Sequence, residues 1–85
     1  MAKYKLLIKP SAAKEISEIP KQDRQRVINR ISRLADNPRC EGCEKLSGQE
    51  RYRVRRGRYR ILYTISDEEV IVVVVKVGHR RDVYR

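Results

Sequence analysis

Six arginines fall within the ten residues Arg51 to Arg60, and a histidine, two arginines and a tyrosine follow near the end of the chain as His79, Arg80, Arg81 and Tyr84. Arg51, Arg53 and Arg55 alternate with Tyr52 and Val54, so in a β-strand the arginines share one face and the apolar side chains the other. Gly57 predicts a turn that folds Arg60 back beside Arg53 and Arg55. The guanidinium fork matches phosphate oxygens and can stabilise a pentavalent phosphorane, but it does not deprotonate at working pH. Such a cluster suits a phosphodiester and needs its proton acceptor from another residue type. Histidine has the side chain whose ordinary pKa best fits proton transfer, and His79 is the only one in the chain. Tyr84 could serve if neighbouring cations favoured its phenolate, and Glu41, Glu44 and Glu50 lie in the segment just before the arginine strand. Ser47 has no arranged His and Asp partners, which argues against a hydrolase triad.

These side chains need elements to hold them. Tyr4, Leu6 and Ile8 alternate with Lys5 and Lys9 and predict a strand stopped by Pro10. Ser11 is the expected N-cap of a short helix carrying Ala12, Ala13, Ile16 and Ile19 and ending before Pro20. From Lys21 to Asp36, Val27, Ile28, Ile31, Leu34 and Ala35 form a stripe, with Arg24, Arg26, Arg30 and Arg33 mostly on the wet side. The tight join between the two helices predicts an α-hairpin. Arg39 to Glu50 reads as a loop, followed by the arginine strand. The next strand, Arg58 to Ile65, sets Tyr59, Ile61, Tyr63 and Ile65 on one face. Glu69 to Val77 is apolar on both faces and belongs in the interior of a sheet. The order β-α-α-β-β-β predicts a two-layer α+β domain spanning residues 1–85, a helical hairpin on a four-stranded, mostly antiparallel sheet.

The 21 Lys and Arg against 11 Asp and Glu give a net charge of +10, which favours a polyanionic partner and calls for an acidic neutralising one. Arginine outnumbers lysine by 14 to 7, a bias toward bidentate phosphate recognition. No apolar run approaches the roughly 20 residues of a membrane span and no signal-peptide pattern is present, so the chain reads as cytoplasmic, with no membrane partner. Cys40 and Cys43 make half of a zinc site without a second Cys pair, and they read as two reduced thiols in a loop.

Leu46-Ser47-Gly48, Tyr52-Arg53-Val54-Arg55, Gly57-Arg58-Tyr59-Arg60-Ile61-Leu62-Tyr63, the apolar strand and Val77-Gly78-His79-Arg80-Arg81-Asp82-Val83-Tyr84 together resemble a RelE-type toxin of the RelE/ParE superfamily of bacterial and archaeal toxin-antitoxin systems. The resemblance covers the whole chain. It implies a RelE-like RNase fold and a metal-independent, cofactor-free mRNA interferase that enters the ribosomal A site and cleaves the codon there. The ribose 2′-OH would attack its own phosphate, leaving a 2′,3′-cyclic phosphate and a 5′-OH. On the match, Arg53, Arg55, Arg60, Arg80 and Tyr84 occupy functional positions. His79 followed by a terminal tyrosine also resembles the YoeB branch and adds His79 to the catalytic set. Lys45, Arg51, Arg56, Arg58 and Arg81 are then expected to contact RNA. Many relatives carry lysines where this chain has Arg53 and Arg55, so a lysine-based proton transfer does not carry over. The implied partners are mRNA on the ribosome, with 16S rRNA contacts, and an acidic cognate antitoxin. The competing expectations are a ParE-like gyrase inhibitor on a related fold and a non-catalytic RNA-binding module.

Overall fold

The computed structural model describes residues 3–46, 48 and 51–79. Their elements are β1 (Lys5–Ile8), α1 (Pro10–Ser17), α2 (Lys21–Leu34), β2 (Glu44–Lys45), β3 (Arg51–Arg56), β4 (Tyr59–Ser66) and β5 (Ile71–His79). One sheet runs in the order β1-β5-β4-β3-β2. All pairings are antiparallel except β1 with β5, which is parallel because the two helices intervene in the chain. The expected two-layer α+β architecture is present, with one strand more than the four expected. The extra strand is β2, inside the segment read as a loop. Only two residues long, it leaves no periodic signal in the sequence, and it exists because Glu44 and Lys45 pair with Arg53 and Tyr52 of β3.

Two further details depart from the sequence expectation. The first helix begins one residue before Ser11: Pro10 stands in its first turn with Lys9 at the N-cap position, and no side chain caps it. Proline fits there because its fixed φ is already helical and the N–H it lacks would have had no intrahelical partner. In α2 the stripe is narrower than expected, since Val27, Ile31 and Leu34 are buried while Ile28 stays exposed.

The core lies between the helices and one face of the sheet. Ala12, Ile16 and Ile19 of the first helical segment and Val27, Ile31 and Leu34 of α2 meet Val54, Ile61, Tyr63, Val72, Val74 and Val77. The strand residues alternate along β3 and β4 as their apolar pattern requires. In β5 the alternation is broken by an irregularity opposite Leu62 and Tyr63, which carries the core-facing series from Val72 and Val74 to Val77. Glu15 of α1 finishes the edge of β5 beyond the end of β1. Its carboxylate accepts the Val77 backbone N–H at 3.1 Å and pairs with Lys76 Nζ at 3.0 Å, occupying a position where another chain could otherwise add a strand. Among the described residues no helix is long and apolar enough to cross a membrane.

Candidate active site

The β3–β4 hairpin turns through Gly57 and Arg58. Gly57 has φ +60 while Arg58 keeps negative φ, the pattern of a two-residue type II′ turn that matches the twist of the strands it joins. This turn sets the register Arg55↔Arg60, Arg53↔Leu62 and Arg51↔Thr64. Directly paired residues of antiparallel strands share a face, so Arg51, Arg53, Arg55 and Arg60 all stand on the face away from the helices. The sequence expectation for the arginine cluster therefore holds at the level of placement.

The cluster is graded in exposure. Arg51 and Arg55 are exposed and Arg53 is half-buried, but Arg60 is only 4% exposed, the one buried charged side chain among the described residues. Its neighbour on β5 is Gly78, which brings no side chain to that face. A buried guanidinium is costly to desolvate and so must be held by partners, and holding it fixes its direction.

Glu44 is the residue the sequence underweighted. As an isolated acidic residue in a loop it resembles ordinary surface charge, but β2 pairs it with Arg53 on the arginine face. Its carboxylate accepts a hydrogen bond from Arg53 Nη2 at 2.8 Å and lies 3.9 Å from Arg55 Nη2. The hydrogen bond and charge of Arg53, with Arg55 and Arg60 adding to them, hold the Glu44 carboxyl below its ordinary range. Among the described residues, one carboxylate thus faces three guanidinium groups.

His79 stands elsewhere. It pairs with Tyr59, whereas Arg60 pairs with Gly78, so the alternation puts His79 on the opposite face from Arg60. There its ring meets Tyr59 edge-on at 5.9 Å between centroids, in a groove also lined by Glu15 and Glu18. The structure does not bring His79 to the arginine face. Position in the sequence next to Arg80 could not reveal this, because one residue of register decides the side.

The RNA-contact candidates are likewise divided. Arg51 shares the face of Arg53, while Lys45 pairs with Tyr52 and so lies on the helix-facing side of the sheet edge. Arg56 pairs with Tyr59 on that same side, and Arg58 stands in the hairpin turn. Arg80, Arg81 and Tyr84 lie outside the described residues, as does Glu50.

A second arginine–carboxylate cluster joins elements at the far end of β4. Arg39 binds both oxygens of Asp67, at 3.0 and 2.8 Å, and the Tyr4 hydroxyl donates to the same carboxylate at 2.9 Å. Arg39, with Tyr4, lowers the Asp67 pKa, and the Asp67 hydrogen bond is the leading cause raising that of Tyr4. Arg39 also lies over the Tyr52 ring, 5.7 Å from its centroid, and Tyr52 stacks on Tyr63. Tyr63 is fully buried, donates its hydroxyl hydrogen to the Pro38 carbonyl, and is pushed well above the ordinary tyrosine range, chiefly by burial. Cys40 and Cys43 are free thiols packed against the core in this segment, and Arg30 donates to Cys40 Sγ at 2.9 Å.

Comparison with known proteins adds four findings to this geometry. The model of a family described as ParE toxin of type II toxin-antitoxin system, parDE, matches residues 6–84. The mRNA interferase toxin RelE of Escherichia coli is 31% identical over 72 residues, 81% of this chain and 75% of that protein. Toxin RelG of Mycobacterium tuberculosis is 53% identical over a shorter stretch of 34 residues, 40% of this chain and 39% of RelG. Among solved structures, a chain of the RelBE2 toxin-antitoxin complex from Mycobacterium tuberculosis superposes with a TM-score of 0.83 at 28% identity, covering 96% of this chain and 97% of that one.

Proposed function

Given that this chain belongs to the ParE toxin family of type II toxin-antitoxin systems, as a RelE-type toxin of the RelE/ParE superfamily, we propose that it is an mRNA interferase cleaving codons in the ribosomal A site. The observation that carries the reading is the arginine face: Arg53, Arg55 and Arg60 on one side of two paired strands, with Glu44 among them. Arg60, nearly buried, is the group with the most restricted freedom and is assigned the phosphate at the bond being cut, through a bidentate contact. Arg53 and Arg55 flank it and stabilise the charge that builds on the phosphorane oxygens.

The reaction is an internal transesterification. The 2′-oxygen attacks the adjacent phosphorus while losing its proton, the bond from phosphorus to the 5′-oxygen breaks, and that oxygen takes up a proton. The products are a 2′,3′-cyclic phosphate and a 5′-hydroxyl. Glu44 is assigned the acceptor, being a carboxylate in contact with the cluster. Alone among guanidinium groups it is a weak base, but a docked phosphodiester neutralises those cations and adds a negative charge beside it. Both effects raise its affinity for a proton at the moment it is needed. Tyr84 is assigned the leaving-group side, and Arg80 a further phosphate contact. Tyr84→Phe is expected to slow single-turnover cleavage by on the order of 10²-fold with little change in binding.

The RelBE2 chain on which this one superposes belongs to a toxin-antitoxin complex. By the same reading this chain is neutralised by a cognate antitoxin whose acidic or amphipathic segment orders as it docks on the basic surface. Primer extension on translated mRNA, after induction of the chain with and without the product of its neighbouring gene, tests both parts. Cuts within codons that vanish on co-expression are expected. Uncut mRNA with trapped gyrase–DNA complexes would replace this reading with the gyrase-inhibitor one.

A further inference from the structure

A second cationic site lies on the other side of the hairpin from the arginine face. A groove of about 610 Å³ runs between α2 and the end of β3, lined by Arg26, Arg30 and Arg33 from the helix and Arg55 and Arg56 from the strand. The helical arginines are spaced at i, i+4 and i+7, which stacks them in one row along the axis. Among the described lining residues Asp36 and Glu41 are the only carboxylates, so cations outnumber anions there by five to two. Pairing within the protein does little to cancel the excess. Arg26 lies 3.9 Å from Asp23 at an exposed site, and Arg30, Arg33 and Arg56 form no ion pair among the described residues. Arg30 is nonetheless fixed, donating to Cys40 Sγ at 2.9 Å and to the Glu41 carbonyl at 3.5 Å.

Two further observations decide what such a groove would take. Arg55 belongs to both sites: it lines the groove and also lies 3.9 Å from Glu44 on the arginine face. A chain of phosphates leaving the arginine face over the end of β3 would therefore meet the groove without a gap in positive potential. The lining is also short of apolar anchors. Ile28, the exposed apolar residue of α2, lies about half a turn away from the arginine row, whereas an amphipathic peptide helix docks by its apolar face.

We propose that this groove is a second RNA-backbone site, holding phosphodiesters outside the bond that is cut and doing so without regard to base sequence. The inference rests on the RNA reading above for the identity of its ligand. Phosphate contacts of this kind position a nucleic acid and contribute affinity that falls with salt, while base contacts would be needed to specify sequence.

The test uses the full chain and a fluorescent single-stranded RNA methylated at every 2′-oxygen, so that binding is read without cleavage. Arg26→Ala/Arg33→Ala is compared with Lys5→Ala/Lys14→Ala, which removes the same charge from surfaces away from the groove, and circular dichroism checks that both remain folded. The arginine pair is expected to weaken binding on the order of tenfold at 0.1 M salt. It should also flatten the plot of log affinity against log salt by about 1.4, roughly 0.7 for each phosphate left without its arginine. The lysine pair should leave that slope as in the wild type. Equal slopes for the wild type and the arginine pair would overturn the proposal, as would an equal weakening by the two pairs, which would reduce the groove to net charge. Loss of affinity for an acidic antitoxin peptide with RNA binding intact would assign the groove to protein instead. Failure of the interferase reading shows separately: the wild type would then leave translated mRNA uncut while still binding the methylated RNA through the groove.

Discussion

Two clusters in this small protein set arginine against carboxylate, and they differ in balance. At Asp67 one guanidinium meets both oxygens of one carboxylate, and the Tyr4 hydroxyl completes the set. Charge is matched, and the contacts tie the residue before β1, the segment after α2 and the turn between β4 and β5. At Glu44 one carboxylate faces Arg53, Arg55 and, further off, Arg60. Among the described residues guanidinium groups outnumber carboxylates there, and like charges on neighbouring strands repel. The matched cluster ties three segments together, whereas the arginine-rich one is the site proposed above to receive a phosphodiester.

On that distinction, the clusters respond to mutation in opposite ways. The largest effect is expected at Arg60. Arg60→Lys keeps the charge but loses the planar fork, and single-turnover cleavage should fall by on the order of 10²-fold or more while thermal unfolding stays cooperative. Wild-type cleavage in a folded Arg60→Lys protein would remove Arg60 from the site. Next comes Glu44→Gln, which preserves shape and removes the proposed proton acceptor. A loss of about 10²-fold is expected, together with disappearance of the acidic limb of the pH–rate profile. An unchanged profile would return proton transfer to Tyr84 or to the ribosome.

Smaller effects, on stability alone, are expected at the matched cluster. Asp67→Asn should lower the melting temperature by about 2–4 °C at neutral pH and leave cleavage as it was. The folded-state pKa of Asp67 is depressed, so its contribution is fully present above the unfolded carboxyl value and is lost as pH falls through the lower folded value. Melting curves between about pH 5 and 2 should accordingly converge for wild type and Asp67→Asn, and a gap that persists at the acid end would mean that Asp67 acts other than through its charge. The smallest change is expected for Arg39→Lys, a shift of about 1–2 °C, because one ammonium can keep the charge but not the two-point contact. A measurable loss of cleavage in either variant would break the comparison, since it would connect the two clusters.

Much of this architecture was legible in the sequence because it rests on period. Alternation in Arg51–Arg56 and Tyr59–Ser66 gave both strands their faces, and the one glycine between them marked the hairpin. The spacing of Val27, Ile31 and Leu34 likewise announced a helix with one buried side. Period also put Arg53, Arg55 and Arg60 together, because a two-residue turn leaves no freedom of register. The family resemblance added the chemistry, which no periodicity could supply.

What the sequence left undecided involved contacts between segments with no repeating pattern of their own. β2 is two residues long and owes its existence to its partner, so Glu44 entered the arginine face only when β3 was there to pair with it. His79 went the other way: its alignment with Tyr59 rather than with Arg60 sends it to the helix side. The arginine row of α2 reads in sequence as a solvated helix face, and becomes half of a groove only where the end of β3 is laid beside it. Local pattern determines which side of its own element a residue takes, because that depends on backbone geometry alone. Which elements then face one another is decided by burial of the shared core, and that is where Glu44 was brought in, His79 was turned away and the second groove was formed.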